Sequence, residues 1–336
     1  MNEFCKNLPK IELHAHLNGS LSSQTLKKLG CFDESIEEYH RLNKVMERSS
    51  RTLDECFLLF KVAHNATRTK EAVYTATKDV IEEFFNDNAI YLELRTTPRS
   101  EECMTMEEYV ETVVKAIQDN KLNIIVKLLL SIDRRYQLPA SDNVMNLIIK
   151  MKNKYPDIIK GVDLSGNPNV GIFNSELFKK AKESGLSLSL HCGEVKNDKE
   201  VEEMLFLNPD RIGHATCIHP KYEGSEELWN LYCQKLIPAE CCLTSNVVCG
   251  TSKSYANHHI LEWIKNDLPF TISTDDKGVF NTTLSTEYEL LQRHFDLNDS
   301  DLWKINYNSI DYSFAESSEK DKLRDIMLEW KTKYMK

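Results

Sequence analysis

The feature that most limits what this chain can fold into is an alternation. Eight short, apolar, largely β-branched runs recur along its 336 residues, each ending in polar residues. They are Ile11–Leu17, Ile90–Thr96, Asn123–Ile132, Ile159–Leu164, Leu186–His191, Arg211–Ala215, Ala239–Leu243 and Phe270–Thr274. Periodicity alone would also allow a helix at Asn123–Ile132, but its β-branched start and the Asp133-Arg134-Arg135 that follows favour a strand. Helix-like stretches lie between the runs, at Thr52–Ala63, Glu71–Asn86, Glu107–Asp119, Ser141–Asn153, Ser175–Ser184, Asp198–Leu205 and Glu226–Gln234. Gly185, just before Leu186, suits a helix stop. Strands alternating with helices imply a parallel sheet, and eight repeats predict a (β/α)8 TIM barrel. The rival, a doubly wound open sheet, usually has a Gly-rich phosphate loop after its first strand. Here that position reads LNGSLSS, with neither a GxGxxG nor a GxxxxGK[ST] pattern.

One interval breaks the rhythm. About 70 residues separate the first two strands, far more than one crossover needs. The α/β reading is therefore one barrel domain over 1–336, with extra helices at about 18–88 capping the C-terminal strand ends, where barrel active sites lie.

The net charge of −10 and a pI near 5.6 argue against binding nucleic-acid polymers or anionic membranes. Ten cysteines include no CxxC pair, so zinc ribbons and dithiol redox sites are disfavoured. The start, MNEFCKNLPKIELHAH, has no apolar signal core, and no run of about 18 apolar residues occurs. The expectation is a reduced, cytoplasmic protein without a transmembrane helix.

The chemistry sits at the strand ends. His14 and His16 are two apart on the first strand and so point to one face. His191 closes the fifth strand with Glu194 three residues on, His214 lies in the sixth, and Asp275-Asp276 follow the eighth. Taken singly each could be ordinary, but a barrel brings all of them to one rim. His14, His16, His191 and Asp275 make a plausible nitrogen/oxygen site for one Zn2+ with room for water. Bound zinc lowers the pKa of its water to about 7. His40, His219, His294, His258 and His259 receive no role.

The motifs ELHAHLNGS, DLSGNP, LHCGE, RIGHA, LTSN and STDDK resemble, in order, those of the adenosine deaminase family. The resemblance spans residues 8–315 and is nearest the adenosine deaminase-like subgroup, whose members act on N6-methyl-AMP. It implies zinc ligands His14, His16, His191 and Asp275. It implies Glu194 as the acid that protonates the purine ring nitrogen, and His214 as the residue that orients or deprotonates the water. Asp276 would hold the hydroxide against the purine face, and Gly166 would contact a purine nitrogen. Nucleoside enzymes carry an aspartate where this chain has Asn18, and a carboxylate there would repel a phosphate. The segment Thr97-Pro98-Arg99-Ser100 resembles the subgroup's phosphate-binding stretch, although some members have a second arginine at the Ser100 position. His64 and Asp133 match ligand-contacting positions, Asp133 towards the ribose, and His16 also counts among the substrate-facing residues. The implied reaction converts N6-methyl-AMP to IMP and methylamine; the alternative is an adenosine or AMP deaminase releasing ammonia. The implied partner is a purine nucleoside monophosphate, and the implied state is a monomer.

Overall fold

The computed structural model describes residues 2–31 and 53–335, with backbone alone at 53–59. All eight expected strands form: β1 Lys10–His16, β2 Ala89–Thr96, β3 Ile125–Asp133, β4 Ile159–Ser165, β5 Ser187–Cys192, β6 Arg211–His214, β7 Ala239–Cys241 and β8 Phe270–Ile272. They pair in sequence order, every neighbour parallel. A parallel bridge from Ala15 to Asp275 brings the first strand against the chain just beyond the last, so the sheet curls into a barrel.

The predicted helices also form, with ends shifted by a few residues. Leu53–Ala66 and Lys70–Asn86 precede β2; Met106–Gln118, Ala140–Lys154, Ser175–Glu183, Asp198–Leu207 and Glu226–Lys235 then follow the successive strands. Their starts are chemically marked. Thr105 caps Met106–Gln118 in a reciprocal capping box with Glu108, and Asn174, Asn197 and Ser225 cap three later helices. Other helices lie outside the sequence reading: Glu3–Asn7, Ser23–Lys28, Leu243–Val248, Ile260–Lys265, Leu284–Phe295, Asp299–Tyr312 and Ser317–Tyr334. Residues 32–52, inside the expected cap and including His40, lie outside the described residues. No described helix is long and apolar enough to cross a membrane, and the described cysteines are all free.

The two strand faces have opposite chemistry. Outward-facing Ile11, Leu13, Leu92, Leu94, Leu128, Leu130, Val162, Leu188, Leu190 and Ile212 are buried in one apolar layer. Burying each such side chain is worth about 1.5–3 kcal/mol. Inward positions are polar. Arg95 donates from Nη2 to Glu240 at 2.9 Å and from Nη1 to Asp163 at 3.4 Å. Arg211 donates from Nε to Glu240 at 2.6 Å, and its Nη2 pairs with Glu93. Ser131 and Ser189 donate to Asp163 and Glu240. The loop between the last two helices closes the barrel floor, with Phe314 stacked 3.7 Å from the Arg211 guanidinium.

Burial works against ionisation of Glu240 and Asp163, but Arg95 beside both, Arg211 beside Glu240 and His191 beside Asp163 hold the two carboxyls below their ordinary range. Their stabilisation is therefore complete above the unfolded carboxyl pKa of about 4 and is lost as the pH falls through and below it. The melting temperature of metal-free protein should fall steeply on acidification below about pH 4, and less steeply for Glu240→Gln. Arg211→Met, which strands Glu93 and leaves Glu240 with Arg95 as its one arginine, should cost about 3–5 kcal/mol in urea unfolding. A flat acid profile or an unchanged midpoint would refute this account of the interior.

Candidate active site and metal centre

The inward polar faces end, at the C-terminal rim, in a cluster of donors. The candidate ligand atoms of His14, His16, His191 and Asp275 all lie within 4.8 Å of one another. Asp275 Oδ1 is 3.4 Å from His14 Nε2 and 3.3 Å from His16 Nε2, and the His16 and His191 Nε2 atoms are 3.1 Å apart. Ligands at about 2.0–2.1 Å on tetrahedral zinc stand roughly 3.3 Å from each other, so the spacing fits. His14 Nε2 is buried with no hydrogen-bond partner among the described residues, as expected of a lone pair reserved for a metal. The opposite ring nitrogens are occupied: His14 Nδ1 meets Glu240 at 2.7 Å and His191 Nδ1 meets Asp163 at 2.8 Å. Such carboxylate partners accept a hydrogen bond from Nδ1–H, hold the proton on that nitrogen and leave the Nε2 lone pair free to ligate.

Local backbone geometry aims these groups. His214 and Asp275 have φ of 62° and 60°, left-handed values that cost a non-glycine residue about 1–3 kcal/mol. The turn after β8 is secured where Ser245 donates to Asp275 Oδ2 at 2.7 Å. Gly213 leaves room for a ligand: a Cβ there would stand 2.9 Å from the His14 ring. Gly166, at φ +102°, sits where a Cβ would meet the Asp133 carboxylate at 2.8 Å.

Glu194 and His214 stand beside the cluster, Glu194 Oε1 3.8 Å from His214 Nε2 and His214 Nε2 3.9 Å from Asp275. Burial raises the Glu194 carboxyl above its ordinary pKa, although His191 and Arg134 partly oppose the shift. Its Oε2 is buried without a hydrogen-bond partner among the described residues. This is a carboxyl suited to holding and delivering a proton.

A cavity of about 450 Å³ opens over this floor. His16, Asn18, His64, Thr97, Arg99, Asp133, Gly166, His191, Glu194, His214, Asp275 and Asp276 line it, and His14 lies beneath. Two predicted residues do not reach it: Pro98 is buried and Ser100 is exposed, and neither lines the cavity. Lys61, Arg135, Tyr136, Ser245 and Asn246 do line it without having been singled out from the sequence. Lys61 could have been found as the residue one helical turn before His64. Arg135 grips Asp133 through Nε at 3.0 Å and Nη2 at 2.7 Å. Arg99 stacks on Tyr109, and its Nη2 donates to the carbonyl and hydroxyl of Thr67, both at 2.7 Å. Its Nη1 is buried with no partner among the described residues. Asn18 lies next to this group, within 3.4 Å of the Thr67 hydroxyl.

The family model described as adenosine deaminase matches residues 9–330. A Bos taurus protein named N6-methyl-AMP deaminase is 43% identical over 329 residues, covering 96% of this chain and 94% of its own length. The apo structure of the N6-methyl-AMP deaminase from Arabidopsis thaliana superposes with a TM-score of 0.87 at 36% identity, covering 99% of both chains. An Arabidopsis ADAL structure complexed with IMP superposes equally, at 35% identity over 99% of this chain and 100% of its own.

Gly213→Ala should push the His14 ring off the cluster and weaken zinc binding by about 10–100-fold, the scale seen when ligand supports are lost. Competition with a chromophoric chelator reads this directly. Unchanged affinity would show that His14 is not held as described.

Proposed function

The chain belongs to the adenosine deaminase family and is a hydrolytic deaminase, and on that footing we propose that it binds one zinc ion and acts on N6-methyl-AMP, releasing IMP and methylamine. The described donors fit zinc in type and spacing. Held by His14, His16, His191 and Asp275, the ion would supply a water acidified to a pKa of about 7.

The chain's own residues carry the rest. Attack at the six-position carbon breaks the purine's aromaticity, so the adjacent ring nitrogen must gain a proton as the water's oxygen bonds to carbon. Glu194, whose carboxyl burial raises above its ordinary pKa, delivers that proton. Asp276 and His214 hold the attacking oxygen, and the Gly166 backbone faces the purine edge. The carbon–nitrogen bond then breaks; of the two protons the attacking water gives up, one passes through Asp276 and leaves with the amine, and the other returns to Glu194. A methyl on that amine requires space in the cavity and no further chemistry.

The observation that carries the substrate reading is the buried Nη1 of Arg99, without a hydrogen-bond partner among the described residues, near the neutral amide of Asn18. Lys61, His64 and Arg135 add to the same wall; among the described residues Arg135 is tied to the Asp133 carboxylate and Arg99 to that of Glu101. A dianionic 5′-phosphate suits this set through charge-assisted hydrogen bonds, while a nucleoside would leave Nη1 without an anion, since Glu101 pairs with Nε, at 3.3 Å. Residues 18–88 are read as the cap of a single barrel domain, with Lys61 and His64 on its cavity face. Scattered free thiols and the subgroup resemblance support a cytoplasmic monomer.

Assays against N6-methyl-AMP, AMP, adenosine and N6-methyladenosine should favour N6-methyl-AMP in kcat/KM; preference for adenosine over each monophosphate would sink the phosphate reading. Arg99→Met should lower kcat/KM for the nucleotide by about 10–150-fold, corresponding to a charged hydrogen bond of about 1.5–3 kcal/mol. Asn18→Asp should harm nucleotide turnover selectively. Glu194→Gln should cost about 10²–10⁴-fold in kcat with zinc still bound; retained turnover would remove Glu194 as the acid.

A further inference from the structure

We propose that Asn246 and His258 are positioning residues that hold His214 in the tautomer bearing its proton on Nε2, so that His214 meets the attacking water as a hydrogen-bond donor.

The argument is an inventory of protons starting from groups whose roles are unambiguous. The Ile260 backbone N–H can only donate, and it points at His258 Nδ1 at 3.1 Å. His258 Nδ1 is therefore an acceptor and carries no proton. The ring's single proton sits on Nε2, which faces the Asn246 side-chain amide at 3.0 Å. The Asn246 atom there must accept, so it is Oδ1, and the other end of the amide is the donor Nδ2. A second constraint agrees. The Thr251 hydroxyl gives its one proton to the Asn246 carbonyl at 3.1 Å, so its contact with Nδ2, also 3.1 Å, requires the amide to donate. The second Nδ2 proton then goes to His214 Nδ1 at 3.3 Å, the nearer of its two remaining contacts, the Thr216 hydroxyl standing at 3.4 Å. With Nδ1 accepting, the neutral His214 ring carries its proton on Nε2, the atom that faces Glu194 and Asp275.

The surroundings keep this relay intact. His258 is fully buried and stacked on His259, their ring centroids 4.2 Å apart. Burial first, and then the neighbouring His259 and His214 rings, hold His258 well below its ordinary pKa and therefore neutral. His259 donates from Nε2 to the His214 carbonyl at 2.7 Å, fixing the left-handed backbone from which the ring projects. Every partner of Asn246 in this set is buried or half-buried, so water does not compete freely for the amide. Nε2, already bearing the proton, cannot take another, and protonation at Nδ1 would displace the Asn246 donor and make the ring a buried cation. His214 accordingly orients the oxygen by donation and leaves the oxygen lone pair for the purine carbon.

The catalytic part of this inference rests on the deaminase reading; the tautomer does not. Full-length, zinc-loaded protein labelled with nitrogen-15 histidine, read by long-range proton–nitrogen correlation at neutral pH, reports each ring's tautomer without substrate. The His214 pattern is assigned by its loss in His214→Asn. The expected pattern is Nε2–H; an Nδ1–H or doubly protonated ring would overturn the proposal. Asn246→Asp, an acceptor in place of the donor, should turn His214 to Nδ1–H and lower kcat for N6-methyl-AMP by about 100-fold, with KM little changed and zinc retained. An unchanged tautomer in that variant, or unchanged kcat despite a turned ring, would also overturn it. Inactivity of the wild-type protein on every purine, with the Nε2–H pattern present, would count against the proposed function and not against the tautomer.

Discussion

The structure depends on one seam. β8 pairs with β7 over only three residues, and the barrel closes beyond it, where His16 N donates to the Asp275 carbonyl at 2.9 Å and Asp275 N donates to the His14 carbonyl at 2.8 Å. Glu12 reinforces the closure, accepting from His14 N at 2.8 Å and from the Thr274 amide and hydroxyl at 3.0 and 2.9 Å. The backbone bonds that close the barrel therefore run through three of the four candidate metal ligands. A barrel open at this seam would separate Asp275 from the histidines, so folding and site assembly are one event.

That closure has an electrostatic cost, met inside the barrel. An apolar interior would pack more simply, but it could not orient imidazoles. Asp163 and Glu240 each support a ligand histidine, and Arg95 reaches both carboxylates. Desolvating such charges is tolerable only when each is paired and hydrogen-bonded. The left-handed residues His214, Ala215 and Asp275 add strain at the same rim. The apolar layer between strands and helices offsets both, which places the stabilising burial outside the barrel and the reactive polarity within it.

Much of this was legible in the residues themselves. The period-two alternation of KIELHAH puts both histidines on one face, and His191, His214 and Asp275 lie at or just beyond strand ends, in positions that an eight-stranded barrel would gather. The helices after Glu226–Lys235 were not legible, because they follow short strands and wrap the barrel without a repeat to announce them. The roles of Pro98 and Ser100 were drawn from a motif, yet only Thr97 and Arg99 of that stretch line the cavity. Adjacent residues leaving a strand need not face the same way.

What the sequence determined by itself is the barrel and which residues are candidates for the ligand set and the acid, because alternation and strand-end position are local properties that survive packing and the motifs are read directly from the chain. What only the tertiary structure decided is how those groups are held. Glu240 reaches His14 across 226 positions of chain, Asn246 lies between His214 and His258, and Arg99 gives Nη2 to Thr67 and Nε to Glu101 while its Nη1 has no partner among the described residues. Such pairings join residues far apart in the chain with no period to predict them, and they exist only once the seam has closed.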